Sequence, residues 1–451
     1  MDHTKQLGSE PILKLIIKFS VPSVISMFVN AIYNIVDRIF VGQFVGEDAL
    51  GGLTIAFPVM MVVFAVGTLF GVGGATMVSI KFGERNFDQA NRIYGNLALL
   101  SLSSSFAMAV IGEIFLPSIL ELVGATPTVL PYAHDYMQII LLGLVFQLSS
   151  FAMAALARSE GKPFLSMMTQ LVSAITNIIL DYLFVVPLGM GVRGAAIATV
   201  IGQFMGFAIL FRYFFISKKS LLKLHVANLR PRLKVIKSIC VTGASSFVIN
   251  IGQSISATFM NVALSQYGGN AAITSMGAIN SLITLVLMPI LGLLQGIGPI
   301  MGYNHGMKQK KRVRKTLWTG IGLGAVFAVI MFGIMEIFPD KTASLFLDPK
   351  SPTMAVCAAG LRIQAIYLPL LPFNVLITAY LQSSAQGTKG LALSLSRQAL
   401  IILAVMVLPV FFQLTGVWLA APSGEAMTVI LALGFLAAEK RSERPVMLNQ
   451  M

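Results

Sequence analysis

The chain has 451 residues, 56% hydrophobic and 11% charged, with a formal net charge of +14 and a mean hydropathy of +0.83. So little charge excludes an ordinary water-soluble domain of this length. Apolar runs of about 20 residues, the length a helix needs to cross a bilayer, recur from end to end and are too long and uniform for barrel strands.

Twelve spans are predicted: 15–40, 52–80, 93–116, 132–156, 164–187, 191–216, 237–264, 274–302, 317–339, 353–381, 391–413 and 415–438. Residues before the first span are polar and show no cleavable signal. The first span carries Asp37 and the fifth carries Asp181. An acid near the bilayer centre costs about 2.5–3.5 kcal/mol on insertion scales, so it marks an ion or substrate path. Gly71, Gly73 and Gly74 in the second span permit close helix approach. Pro22, Pro58, Pro289, Pro299, Pro369 and Pro372 mark bends or contacts that neighbouring helices must satisfy. Glu425, in the twelfth span after Pro422, is either functional or faces a water-filled cavity.

The basic residues alternate. Of 32 Lys and Arg, three (Arg193, Lys341, Lys350) fall at odd-numbered connections and two (Arg38, Arg362) within or near spans. The rest fall at the N-terminus, the even connections and the C-terminus. This positive-inside pattern predicts a multi-pass cell-membrane protein of bacterial type with both termini cytoplasmic. It assigns the clusters Lys218 to Lys237 and Lys308 to Lys315 to topology and lipid headgroups, not to nucleic acid. Cys240 and Cys357 lie in apolar runs, and His3, His134, His225 and His305 are scattered, so no disulfide framework or zinc spacing exists.

The chain matches itself at a shift of 223 to 226 residues. Gln43 meets Gln266, Gly46 meets Gly269, Gly83 meets Gly306, and Glu113-Ile114-Phe115 meets Glu336-Ile337-Phe338. Further on, Gln138 meets Gln364, Gly161 meets Gly387, and Ala195-Ala196 meets Ala420-Ala421. The fold class expected is therefore an all-α membrane protein of about 12 helices in two pseudo-symmetric six-helix lobes. Their boundaries fall at 1–216 and 237–451, with a basic linker at 217–236 broken by Pro231. An even number of spans per repeat puts the symmetry axis along the membrane normal and the substrate site between the lobes.

The repeat is also an internal control. Asp37 aligns with Met260, and Asp181 aligns near Met406 and Val407, so the second copy lacks both acids. Asn177 stands one turn before Asp181, and Ala195 and Thr199 stand one turn apart on the sixth span. Carboxylate, amide, hydroxyl and carbonyl oxygens suit a small hard cation or a proton relay. The bland reading of Asp37 is a helix-end acid paired with Arg38; Glu113 and Glu336 read as outward helix ends.

The runs Asp37-Arg38-Ile39-Phe40-Val41-Gly42, Asn177-Ile178-Ile179-Leu180-Asp181-Tyr182 and Gly194-Ala195-Ala196-Ile197-Ala198-Thr199, the last preceded by Gly189, resemble the multidrug and toxic compound extrusion (MATE) family. Within it they resemble the MepA-type exporters near the DinF-like branch. The resemblance spans essentially the whole chain. It implies efflux of bulky cationic and aromatic drugs, dyes and antiseptics, in exchange for H+ or Na+, by rocking of two lobes. It implies a cation site at Asp37, Asn177, Asp181, Ala195 (through its carbonyl) and Thr199; if the ion is Na+, Asp37, Asn177, Asp181 and Thr199 are its ligands. It implies no cofactor beyond the coupling ion and no enzymatic activity. The NorM-like branch carries acids on helices 7 and 10; here those spans hold Asn250, Gln253, Gln364 and Asn374, which puts a second cation site in doubt.

A polyspecific cavity wants aromatics, Met and a few polar anchors. Tyr33, Asn34, Phe57, Gln147, Gln253, Asn280 and Met288 are the candidates, although most of the 24 Met and 30 Phe must be core or lipid-facing. Both lobes lie in one chain, so a monomer can complete the cavity. A lipid-linked sugar flippase on the same plan is the alternative; it would need several basic residues inside spans, where only Arg38 and Arg362 come near. ATP-driven transport and enzymatic readings fail on motifs, because Gly161-Lys162 is followed by Pro163 and no P-loop exists.

Overall fold

The computed structural model describes residues 4–217, 219–347 and 353–448. His3, Lys218 and Lys350 lie outside them. Every element among the described residues is helical: α1 Lys5–Ser9, α2 Ile12–Phe44, α3 Glu47–Gly83, α4 Phe87–Leu122, α5 Leu130–Ser159, α6 Pro163–Val185 and α7 Gly191–Phe211, which runs on through a π turn to Ile216. After the linker come α8 Leu233–Gly306, α9 Lys310–Ile337, α10 Pro339–Ala343, α11 Met354–Ala365, α12 Leu371–Ser383 and α13 Gly387–Leu448.

α8 and α13 are each two membrane-length arms. α8 breaks at Gly269 (φ 60°) and α13 at Gln413 (φ 50°), so each is a hairpin with almost no loop. With α11 and α12 counted as one bent crossing, the twelve predicted spans are all present. No unbroken helix runs through Pro231: α7 and its π turn stop at Ile216, and α8 starts at Leu233.

The repeat is visible in the backbone. Left-handed residues recur at Gly46 and Gly269, Arg85 and Lys308, Gly161 and Ala385, and Gly189 and Gln413, each pair 223 or 224 residues apart. Such conformations are costly for residues with a side chain, so their recurrence at one spacing reflects turns built the same way twice.

The apolar cores show how the halves meet. One cluster is shared by both: Phe19, Val78, Phe82 and Leu97 from the first half pack with Ile239, Ile300, Tyr303 and Tyr380 from the second. Toward the opposite membrane face the halves separate. Val41, Leu53, Met137 and Ala195 form a core of the first half alone, and Met260, Leu282, Leu361 and Trp418 one of the second alone. The molecule is thus a V, closed at the end that carries Lys81, Lys162, the linker and Lys310.

Glycine allows that closure. A Cβ on Gly83 would lie 2.0 Å from the Tyr303 carbonyl oxygen, and one on Gly306 would lie 2.0 Å from that of Ile80. Gly83 and Gly306 are repeat partners, as are Ile80 and Tyr303, so the two contacts are related by the pseudo-twofold axis. Gly73 against Gly243, and Gly296 against Ser20, repeat the arrangement a few turns deeper.

Two chain segments strap this closed end. In α1, Leu7 is fully buried; the Asn304 amide donates to its carbonyl at 2.8 Å, and Arg312 donates to the Glu10 carbonyl at 2.8 Å. The Gln6 amide donates to the Gly161 carbonyl at 3.2 Å, so α1 touches both halves. The linker is held to the first half: Glu160 accepts from Ser220 (2.6 Å), Tyr213 (2.6 Å) and the Leu222 N–H (3.0 Å), and Asn96 accepts from the Arg232 N–H (2.9 Å).

Candidate functional site

The first half holds a buried polar cluster beside its own core. α2 brings Asp37, α6 brings Asn177 and Asp181, α7 brings Ala195 and Thr199, and all five are at least nine-tenths buried. The sequence places them there because Asn177 and Asp181, and Ala195 and Thr199, are i, i+4 pairs on the facing stripes of two antiparallel neighbours. The Asn177 amide donates to the Thr199 hydroxyl at 3.3 Å and ties α6 to α7. Asp37 and Asp181 lie within electrostatic reach of each other.

The remaining oxygens are unanswered. Oδ1 of Asp37, Oδ1 of Asn177 and both carboxylate oxygens of Asp181 are buried with no hydrogen-bond partner. Buried polar atoms are ordinarily paired, and an unpaired carboxylate in a dry interior is costly. Four orphaned acceptors converging from two helices form a set of hard oxygen donors that a proton or a small cation would complete. Among the described residues no group of three or more His, Cys, Asp or Glu is placed to hold a metal ion.

Asp37 does not pair with its neighbour. Arg38 is exposed and turns its guanidinium over the Phe57 ring, 5.2 Å from the centroid. The helix-end reading of Asp37 is therefore set aside.

One member of the cluster was missed in the sequence. Tyr136 of α5 is 4% exposed and sits among Asp37, Tyr33, Thr199 and Asp181. A tyrosine in an apolar run resembles an interface or core aromatic, so only its neighbours across α2 and α7 reveal it.

The proposed cavity residues are dispersed over α2, α3, α5 and α8. Asn34, Phe57, Gln253 and Asn280 are exposed; Tyr33, Gln147 and Met288 are half-buried. Exposed polar groups cluster on the same helices: Thr54 on α3, and Ser254, Thr258, Thr274 and Thr284 on α8. Thr54, Ser254, Thr258 and Thr284 each donate to the backbone carbonyl one turn earlier.

The second half differs, and one assignment is corrected. Arg397 counts above among basic residues at an even connection. The structure places it inside α13, where it pairs with Glu425. A tally by position cannot see a partner 28 residues away on the other arm. Glu425, 2% exposed, also accepts from the Asn374 amide, which donates to the Glu425 backbone carbonyl at 3.1 Å as well. Since Arg397 is neutralised internally, it adds no free positive charge of the kind the flippase reading needs.

Comparison with known proteins agrees with this architecture. The family model MatE matches residues 22–183 and 246–415, one segment in each half. The multidrug export protein MepA of Staphylococcus haemolyticus is 28% identical over 423 residues, covering 94% of this chain and 92% of that protein. MepA of Staphylococcus aureus strain N315 is 26% identical, with 94% and 93% covered. Among solved structures, a MATE transporter in the bent conformation superposes with a TM-score of 0.92 at 22% identity over 100% of both chains. An outward-facing multidrug resistance MATE transporter gives 0.91 at 23% identity over 98% of both; these are likenesses of fold. Two six-helix halves, twelve crossings and a family match across both make this chain a member of the MatE family of multi-pass membrane transporters, and a transporter rather than an enzyme.

Proposed function

We propose that this chain exports bulky cationic and aromatic small molecules, including drugs, dyes and antiseptics, in exchange for an inward-moving H+ or Na+. The observation that carries the reading is the set of orphaned oxygens on Asp37, Asn177 and Asp181. Left empty, the facing carboxylates repel and lack solvation; loaded with a cation, they are satisfied. Thr199 and the Ala195 carbonyl complete the set, and Tyr136 holds a hydroxyl against it. The MepA relatives carry the name of multidrug export proteins, which supports the substrate class.

The moving bodies in this reading are 1–216 and 237–451, with 217–236 riding on the first. The basic closed end is cytoplasmic, as the positive-inside pattern expects, and both termini lie there. In this reading the V opens outward and is one member of an alternating pair. Drug occupies the mouth between the bodies, against Tyr33, Asn34, Phe57, Gln147, Gln253, Asn280 and Met288. A monomer suffices, since both walls come from one chain.

The test is efflux of ethidium from proteoliposomes, with pH and Na+ gradients imposed separately. Transport driven by one gradient, and lost in Asp37→Asn and Asp181→Asn proteins that still insert and bind dye, is the expected result. Full gradient-driven efflux by Asp181→Asn would sink the coupling role.

A further inference from the structure

The region of the second half that corresponds to the cation cluster has been rebuilt. At the repeat spacing, Asn177 and Thr199 map to Ile401 or Ile402 and to Ser423 or Gly424. The structure packs these positions together: a Cβ on Gly424 would lie 2.6 Å from the Ile401 side chain. Neither Ile401 nor Ile402 has a polar side chain to form the hydrogen bond that joins α6 to α7 in the first half. One residue beyond Gly424, and one turn before Ile401, the same two arms of α13 are joined by Glu425 and Arg397. Their side chains are 3% and 11% exposed. Arg397 Nε donates at 2.9 Å to the same Glu425 oxygen that its Nη2 contacts, and Asn374 serves the other oxygen.

We propose that Arg397 is a tethered counter-ion: its guanidinium occupies the role that an exchanged cation plays in the first half, so the second half moves without loading an ion. The inference rests on the proposal that Asp37 and Asp181 load the cation. In the first half Asp37 and Asp181 have empty oxygens and make no ion pair among the described residues. In the second, one acid has a covalently attached cation that cannot leave. Coupling charge is then confined to one lobe, and Arg397 fixes how many ions accompany each turnover.

The experiment uses the full chain in proteoliposomes, with ethidium as probe and the driving cation titrated on the side opposite the closed end. Arg397→Met leaves Glu425 facing Tyr367 and Asn374. With the Glu425 carboxylate left without its guanidinium, this variant should acquire a second cation-sensitive step, seen as a cation dependence steeper than that of the unaltered protein. The Arg397→Met/Glu425→Gln double variant removes the pair together. It should return to the original dependence, with transport within about threefold, because replacing both members of a buried pair is tolerated where removing one is not. If the double variant binds ethidium yet loses gradient-driven transport as Asp181→Asn does, Glu425 is itself a loading group and the proposal is overturned. An Arg397→Met cation dependence as shallow as the original would overturn it too. If Asp181→Asn alone keeps full coupling, the first-half assignment fails instead, which the double variant does not depend on.

Discussion

The two halves of this transporter are built on one backbone plan yet have opposite interiors at the same level. Their turns fall at matching residues, including four pairs of left-handed positions. Their closing glycines make reciprocal contacts. Where α2, α6 and α7 meet, however, the first half buries two acids with unanswered oxygens, while the second sets Ile401 on Gly424 and joins Glu425 to an arginine. Shared backbone with divergent polar groups separates what the fold requires from what the chemistry requires. The turns and the glycine crossings are the price of the architecture, and the orphaned carboxylates are not part of it.

The largest expected effect tests that separation. Asp181→Asn should lower gradient-driven efflux by about a hundredfold or more with dye binding retained, while Met406→Asn at the aligned position should stay within about threefold. Comparable losses from both would mean that the halves share the coupling load. Closing the V comes next. Gly83→Ala and Gly306→Ala each drive a methyl into a backbone carbonyl, and each should reduce transport by about tenfold. Cys240 sits beside Ile239 in the closing seam and is half-buried, whereas Cys357 is fully buried. Maleimide labelling of Cys240 should rise in both variants; a rise in only one would break the pseudo-twofold equivalence.

A smaller effect concerns the linker, which only the first half grips. Burial pushes the Glu160 carboxyl up from its ordinary value, and its donors Ser220, Tyr213 and Leu222 pull it back in part. A carboxyl raised in the folded state favours folding most below its unfolded value, and that contribution is lost as pH rises through the folded value. Glu160→Gln should therefore flatten the thermal stability profile across that acidic window. An unchanged slope in a thermal melt series would count against the linker clamp. The smallest effect lies at the hairpin tips. Gln413 has a φ of 50°, where its repeat partner is Gly189 at 61°. Gln413→Gly should stabilise the chain by about 0.5–1 kcal/mol, and Gly189→Gln should cost a similar amount, read as opposite shifts in melting temperature.

Much of this was legible in the sequence. Spans follow from apolar length, and an acid stands out against an apolar background, so Asp37 and Asp181 could be found without coordinates. Asn177 and Thr199 followed from helical spacing. Tyr136 could not be found that way, because its meaning depends on which helices surround α5. Arg397 was obscured for a different reason: it lies six residues inside the predicted start of its span, where an arginine looks like a loop residue reaching back. Glu425 was noticed but could not be interpreted without that partner. The docking of α1 was invisible, since a short polar segment before the first span gives no periodic signal.

The straps have a mechanical consequence. Both stretches of chain that pass from one body to the other, α1 with its grip on Asn304 and Arg312 and the linker leading into Leu233, lie at the basic end. Among the described residues no such leash crosses the opposite rim. The molecule is bound along one edge like a book along its spine. Its pages can fan freely at the far edge, whereas parting them at the spine means unhooking Leu7 and drawing slack from the short run around Pro231. The two openings are therefore not mirror images. One is limited only by how the faces separate, and the other by a tether of fixed length, so a tag or fusion attached ahead of Lys5 would load that hinge directly.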